Sequence, residues 1–295
     1  MAFEPPQRLV RALGENDEWL GQLPRTAQEA VDRRKLDVER VVVPGGRSAL
    51  VLLVRRSDGV PAALKLAPPA AEPALERAAL AHWNGWGAVR LLDEADENHA
   101  NGDGLLLERL QPDVSLRSLP EAKALLEAAG TVRRLWVEPP AGHGFETAAE
   151  RTGRQAQAMR ARAADEPLVA EALAVREELV ALPPELLLLH GNFRQGKVLA
   201  GERTPWLAVG PEPVVGERAY DLARLVRDRV EDLVAASGGA SSARRRVNRL
   251  ADSLEVDRDR LRGWTLFRAV ESGTRAMAAG RRAEGEMALE FASWL

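Results

Sequence analysis

Residues 186–213 read LLLLHGNFRQGKVLAGERTPWLAVGPEP. A leucine run, a glycine-bearing polar loop and a second apolar run closing on Pro-Glu-Pro predict a strand, a tight loop and a second strand that ends in a turn. Where a loop so placed would hold catalytic carboxylates, it carries Asn192, Lys197 and Gly210. The scaffold of an active site is legible here, and its acids are not.

On either side of this stretch the chain is helical. Apolar residues recur every three or four positions over 120–136, 145–164 and 166–182 before it, and over 219–236, 242–254 and 257–279 after it. Ser241 or Ser242 and Asp257 are candidate N-caps, and SGGASSA, 237–243, reads as a mobile connection. Further upstream the period changes. Residues 38–66 hold β-branched runs at 41–43 and 51–54 with a Gly45-Gly46 turn between them, then a Ser-Asp-Gly turn before ALKL, 63–66. Residues 72–86 form a helix with Leu75, Ala79, Leu80 and Trp83 on one face. AVRLLDEAD, 88–96, and GLLLERL, 104–110, read as two more strands joined by ENHANGDG, 97–104. The expected division is therefore an N-terminal lobe, 1–110, with five antiparallel strands and one helix after Lys65, and a helical C-terminal lobe, 111–295, holding the loop at 188–213.

Composition narrows the function. The formal net charge of −3 over 295 residues gives no basic excess for nucleic acid or an anionic membrane. Arg244-Arg245-Arg246 lies among acids on a helical stretch and reads as a solvated face, as does the acidic run DEADEN, 93–98. The absence of cysteine excludes disulfides, thiolate catalysis and Cys-ligated zinc. His82, His99, His143 and His190 share no metal-ligand spacing. With no signal-peptide pattern and no apolar span of eighteen residues, a cytoplasmic protein is expected.

One set of residues in the N-terminal part points to phosphate. A glycine-bearing hairpin lets backbone N–H groups approach phosphate oxygens, a lysine on the third strand supplies a point charge, and a glutamate on the next helix fixes that lysine. Gly45, Gly46, Lys65 and Glu76 stand in that order. His190 reads as a structural support of the loop, and Trp206, Trp264 and Trp294 as core anchors.

The runs PGGRSALVLLVRR (44–56), ALKL (63–66), ERAALAHWNGWGAVRLLDE (76–94), LLLERL (105–110), LLHGN (188–192) and GERTPWLAVGPEPVVGERAYDLARLVRDR (201–229) resemble the aminoglycoside and hydroxyurea phosphotransferases, streptomycin 6-kinases in particular. The similarity runs from about residue 36 to WTLFRAVES, 264–272. It implies an α+β fold, two-lobed and protein-kinase-like, with ATP in the cleft and LLLERL as the hinge, where Glu108, Arg109 and Leu110 offer backbone groups to the adenine. Members of the family usually read HGDxHPGNVL followed by IDPKP. An aspartate there takes the proton of the substrate hydroxyl, an asparagine binds magnesium, and a second aspartate bridges the metals on the phosphates.

At those positions this chain has Asn192, Lys197 and Gly210; the family's proline before the glycine is Gln195, and the lysine of DPKP is Glu212. An asparagine accepts no proton at neutral pH, and neither lysine nor glycine offers magnesium a side-chain oxygen. The expected function is that of a pseudokinase of the antibiotic phosphotransferase lineage, with ATP bound weakly or not at all, no magnesium, and a small polar, aminocyclitol-like molecule or a protein as partner. Alternatives are an enzyme whose chemistry has been repurposed around Lys65 and Glu76, and an active streptomycin-type kinase. Glu271, on the helix after Trp264, is the candidate substrate-facing acid.

Overall fold

The computed structural model describes residues 3–93 and 104–295. Most of the acidic run at 93–98 and of the turn at 97–104 lies outside the described residues. Among those described, no helix is long and apolar enough to cross a membrane. In chain order the elements are α1 (Gln7–Leu13), α2 (Glu18–Arg33), β1 (Asp37–Val41), β2 (Leu50–Arg55), β3 (Pro61–Leu66), α3 (Pro73–Trp83), β4 (Leu105–Glu108), β5 (Gln111–Ser115), α4 (Glu121–Arg133), α5 (Ala148–Ala163), α6 (Pro167–Ala181), β6 (Leu187–Leu189), β7 (Val198–Ala200), β8 (Trp206–Ala208), β9 (Val214–Gly216), α7 (Arg218–Val226), α8 (Val230–Ala235), α9 (Gly239–Leu254), α10 (Arg258–Ala278) and α11 (Arg282–Ala292).

The chain divides into two compact units, Met1–Ser118 with Leu199–Val209, and Leu119–Val198 with Gly210–Leu295. The expected boundary at residue 110 moves to 118, and the second strand of the opening stretch folds with the N-terminal unit. The cause is backbone pairing. Ala208 bridges Ala88 in parallel, and its N–H donates to the Gly87 carbonyl at 2.9 Å.

In the N-terminal unit β1, β2, β3 and β4 form an antiparallel sheet in that order. Strand parity decides which face each residue serves. Leu50, Leu52 and Val54 on β2, and Ala62, Leu64 and Leu66 on β3, pack with Leu20, Leu23 and Ala27 of α2. Asp17 starts α2 by accepting the Leu20 N–H at 3.0 Å. Lys65, of opposite parity, leaves by the other face. The expected fifth strand differs: 88–92 attaches by an isolated Leu91–Leu107 bridge and single bonds such as Glu108 N–H to Arg90 O at 2.9 Å. β5 leaves this sheet to join β7 and β8.

The C-terminal unit is built on α10, which packs against α5, α6, α7, α9 and α11. Its buried stripe includes Leu261, Trp264, Phe267 and Val270, and Asp257 caps it by accepting the Arg260 N–H at 2.8 Å. Trp264 meets Tyr220 and Phe267 edge to face, while its indole N–H donates to Glu217 at 2.7 Å. The helix expected over 219–236 is broken into α7 and α8 at Arg229, whose φ is 54°. The connection expected at 237–243 is largely helical, with Ser241 and Ser242 inside α9 rather than capping it. Gly239 permits this start, because a Cβ there would lie 2.1 Å from the Leu233 carbonyl oxygen.

Candidate functional site

In the N-terminal unit Lys65 stands opposite Val51 on β2 and Leu105 on β4. Its ammonium donates to the carboxylate of Glu76 on α3. Glu76 is 3% exposed, and its second oxygen, Oε1, has no hydrogen-bond partner among the described residues. The pair is thus preorganised, with a charged lysine held at the end of a short, buried arm. The loop before β2 turns at Gly45, whose φ of +68° lies in the left-handed region that favours glycine.

The hinge residues are more committed than the sequence suggests. The Glu108 N–H is taken by the Arg90 carbonyl, and its carboxylate accepts from the Arg90 N–H at 2.8 Å and from Arg203 at 2.7 Å. The Arg109 guanidinium ties the sheet together, donating to the carbonyls of Ala62 at 2.9 Å and Val54 at 2.6 Å and to Glu39 at 2.9 Å. Leu110 is buried.

Removing Lys65 strands a buried carboxylate, so Lys65→Ala is expected to cost about 3 kcal/mol. Lys65→Met with Glu76→Leu removes both charges and is expected to recover most of that loss in urea unfolding while leaving any ATP affinity absent. A double variant as unstable as the single one would show that the pair does not behave as a buried ion pair.

In the C-terminal unit the loop after β6 hangs on Asp221 of α7. The two carboxylate oxygens accept the N–H groups of His190 at 3.0 Å and Gly191 at 2.9 Å. His190 is fully buried, and its Nδ1 accepts the Asn192 N–H at 3.3 Å. Gly191 lies in the left-handed region, and a Cβ on it would fall 1.8 Å from the Glu212 carbonyl oxygen. Arg268 of α10 adds a third support by donating to the Gly191 carbonyl at 2.8 Å.

This framework brings four of the five departing positions together, Asn192, Lys197, Gly210 and Glu212. The Asn192 amide donates to the Glu212 carboxylate, and its own oxygen is buried with no partner among the described residues. Lys197 donates to the Gly210 carbonyl at 2.6 Å and to Glu212 at 3.4 Å. Burial by the loop pushes the Glu212 carboxyl up, but the Lys197 ammonium, the Asn192 amide and the charges of Arg224 and Arg151 outweigh it and hold the group at about 2. With the Glu212 side chain 56% accessible, those cations rather than burial set the direction.

Magnesium requires several oxygen ligands near octahedral geometry. One of the two family ligand positions here is an ammonium and the other a glycine whose carbonyl that ammonium already occupies. No group of three or more His, Cys, Asp or Glu suited to a metal occurs among the described residues. These residues do not fit magnesium. Gln195, fully buried, accepts from Arg229 at 2.7 Å.

Glu271 is 7% exposed, and its carboxylate is shared between Arg275 at 3.0 Å and Arg162 at 3.7 Å. It is a neutralised acid rather than one left open to a cation. What the sequence did not disclose is a set of arginines. Arg224 and Arg227 on AYDLARLVRDR read locally as helix polarity, yet Arg224 makes no hydrogen bond or ion pair among the described residues, and its buried Nε has no acceptor. The spacing of three between Asp221 and Arg224 was the available signal, because it places Arg224 on the face that carries the loop.

An antiparallel sheet with a lysine fixed by a helix glutamate, and a helical unit holding a strand–loop–strand over a bracing aspartate, define a protein-kinase-like phosphotransferase fold. Residues 34–280 match the family model described as aminoglycoside/hydroxyurea antibiotic resistance kinase, and the chain belongs to that family. It is 35% identical to a streptomycin 6-kinase of Streptomyces glaucescens over 89% of this chain and 86% of that protein. It is 37% identical to a hydroxyurea phosphotransferase of Kitasatospora aureofaciens, over 86% and 73% respectively. Among solved structures, a thermostable mutant of aminoglycoside phosphotransferase APH(4)-Ia, in ternary complex with ADP and hygromycin B, superposes with a TM-score of 0.60 at 17% identity, covering 90% of this chain and 96% of that one.

Proposed function

We propose that this protein is a non-transferring member of its family, a kinase-like fold that binds a small polar ligand without magnesium-dependent phosphoryl transfer. The observation that carries this reading is the closed network of Lys197, Gly210, Asn192 and Glu212. In the family pattern the equivalent set is two aspartates, an asparagine and a lysine, one negative charge in excess, with metal ions supplying the balance. Here one lysine and one glutamate cancel. The ammonium of Lys197 stands where a cation is needed, so the loop keeps its shape with no ion to organise it.

The reading accounts for what is retained as well as what is lost. Phosphoryl transfer rests on positioning and charge neutralisation, and a general base alone contributes about a hundred- to ten-thousand-fold. The Lys65–Glu76 pair, by contrast, supports contact with the phosphates of a nucleotide, the kind of ligand present in the APH(4)-Ia complex.

Thermal unfolding with ATP, with and without magnesium, tests the proposal. Any stabilisation by ATP is expected to be the same in both. A shift that appears only with magnesium, or rapid ADP release with streptomycin as acceptor, overturns it.

A further inference from the structure

Several buried or half-buried arginines in the C-terminal unit have a carboxylate partner. Arg260 pairs with Glu217, Arg218 with Glu185, Arg246 with Glu121 and Arg176 with Glu177. Around the 190–192 loop this habit fails. Arg224, Arg227 and Arg268 form no ion pair among the described residues; they repel one another and Arg194, while Glu212 attracts Arg224, Glu271 and Asp228 attract Arg227, and Asp221 attracts Arg268. Arg268 spends its donors on the carbonyls of Tyr220 and Gly191 and lies over the Tyr220 ring at 4.3 Å. Arg227 has one long bond, to the Arg268 carbonyl at 3.3 Å. Arg224 has none, and its Nε is shielded from water as well.

The acids nearby are already committed. Glu212 holds Lys197 and Asn192, Asp221 holds two loop amides, Glu271 holds Arg275 and Arg162, and Asp228 accepts the N–H groups of Gln195 and Arg229. Burial, followed by the charges of Arg227, Arg268 and Arg194, pushes the Arg224 guanidinium down to about 9, with Glu212 pulling the other way. An unpaired, partly desolvated cation among its own kind destabilises a fold. Such an arrangement is explained when a ligand supplies the missing charge.

We propose that the arginine cluster beside the 190–192 loop, centred on Arg224 with Arg227, Arg268 and Arg194, binds an oxyanion carried by a small molecule, a phosphate or carboxylate group. This refines the ligand class of the non-transferring reading and rests on that reading only for the ligand's being bound rather than phosphorylated. Planar guanidinium forks match such groups with paired N–H bonds. A cationic aminocyclitol meets a like charge at the same place.

The test is thermal unfolding of the full chain against inorganic phosphate, sodium citrate and streptomycin, each compared with sodium chloride at equal ionic strength. Saturable stabilisation by phosphate or citrate, and none by streptomycin, is expected. Arg224→Gln should weaken that anion response about tenfold or more and raise the ligand-free midpoint, because it removes a repelled charge. Arg25→Gln, at an exposed arginine of the N-terminal unit, should keep the anion response. Stabilisation by streptomycin but by neither anion overturns the proposal. So does an anion response kept undiminished in Arg224→Gln, or a lower ligand-free midpoint in that variant. The wild-type comparison stands whether or not a variant folds, and magnesium dependence is read separately, so either reading can fail alone.

Discussion

Changing Asn192→Asp, Lys197→Asn, Gly210→Asp and Glu212→Lys together is expected to create magnesium-dependent ATP stabilisation, which the proposed function denies to the natural chain, and to raise magnesium-dependent ADP release by at least about a hundredfold. All four changes are needed, for electrostatic reasons. Asn192→Asp alone puts a second carboxylate against Glu212, which already accepts the Asn192 amide. Lys197→Asn alone strips Glu212 of its ammonium. The three reversions without Glu212→Lys gather three carboxylates on one loop, a repulsion that opposes folding before any metal arrives. Gly210 has a φ of +60°, a conformation that aspartate tolerates better than most residues. If the natural chain already shows the magnesium-dependent shift, or if the single reversions give it, the four residues do not act as the closed set described above.

Asp221→Ala is expected to destabilise the protein by about 3–5 kcal/mol, a large part of the stability of a typical domain. The carboxylate is fully buried and accepts two loop N–H groups, those of His190 and Gly191. Without it both donors lose that acceptor, and Arg268 loses a buried counter-charge. Asp221→Asn keeps one acceptor oxygen but turns an NH₂ toward the other N–H, so an intermediate loss is expected in urea unfolding. A loss below about 1 kcal/mol for the alanine variant would mean that the loop is held by its glycine turn and arginines instead.

The same aspartate gives a pH signature with a definite sign. Burial pushes its carboxyl from 3.8 to about 6, against the Arg268 charge and the two amide bonds that pull it down. Between those values the folded protein holds a proton that the unfolded chain has released. The contribution of Asp221 to stability is therefore greatest below pH 4 and declines as pH rises toward 6. That decline should be missing from the Asp221→Ala variant. Glu212, whose group is lowered, acts in the opposite sense at lower pH.

Much of the site was legible in the residues themselves. Lys65 and Glu76 were found because strand parity and helix spacing are local properties, written within a dozen positions. The departures at Asn192, Lys197 and Gly210 could be read because the strand–loop–strand around them kept its pattern. Local patterns failed where two signals overlapped. The glycines and serines of 237–243 carry loop composition, yet Gly239 is there for its closeness to Leu233, and the helix starts at it. The strand-like run at 88–92 is drawn to Ala208 on one side and Leu107 on the other, so it forms bridges instead of a fifth strand.

The sequence alone determined the fold family and the positions at which this chain departs from the family's motif, Asn192, Lys197 and Gly210, since each depends on residue type and short-range spacing. Only the tertiary structure decided how the replacements behave. Glu212 answers Lys197 and Asn192 across 15 and 20 residues, Glu271 is already spent on two arginines, and Arg224 makes no hydrogen bond or ion pair among the described residues. Pairing of charges is a matter of distance in space. Segments far apart along the chain meet only when the core has packed, so a residue's partner, or its lack of one, is settled there.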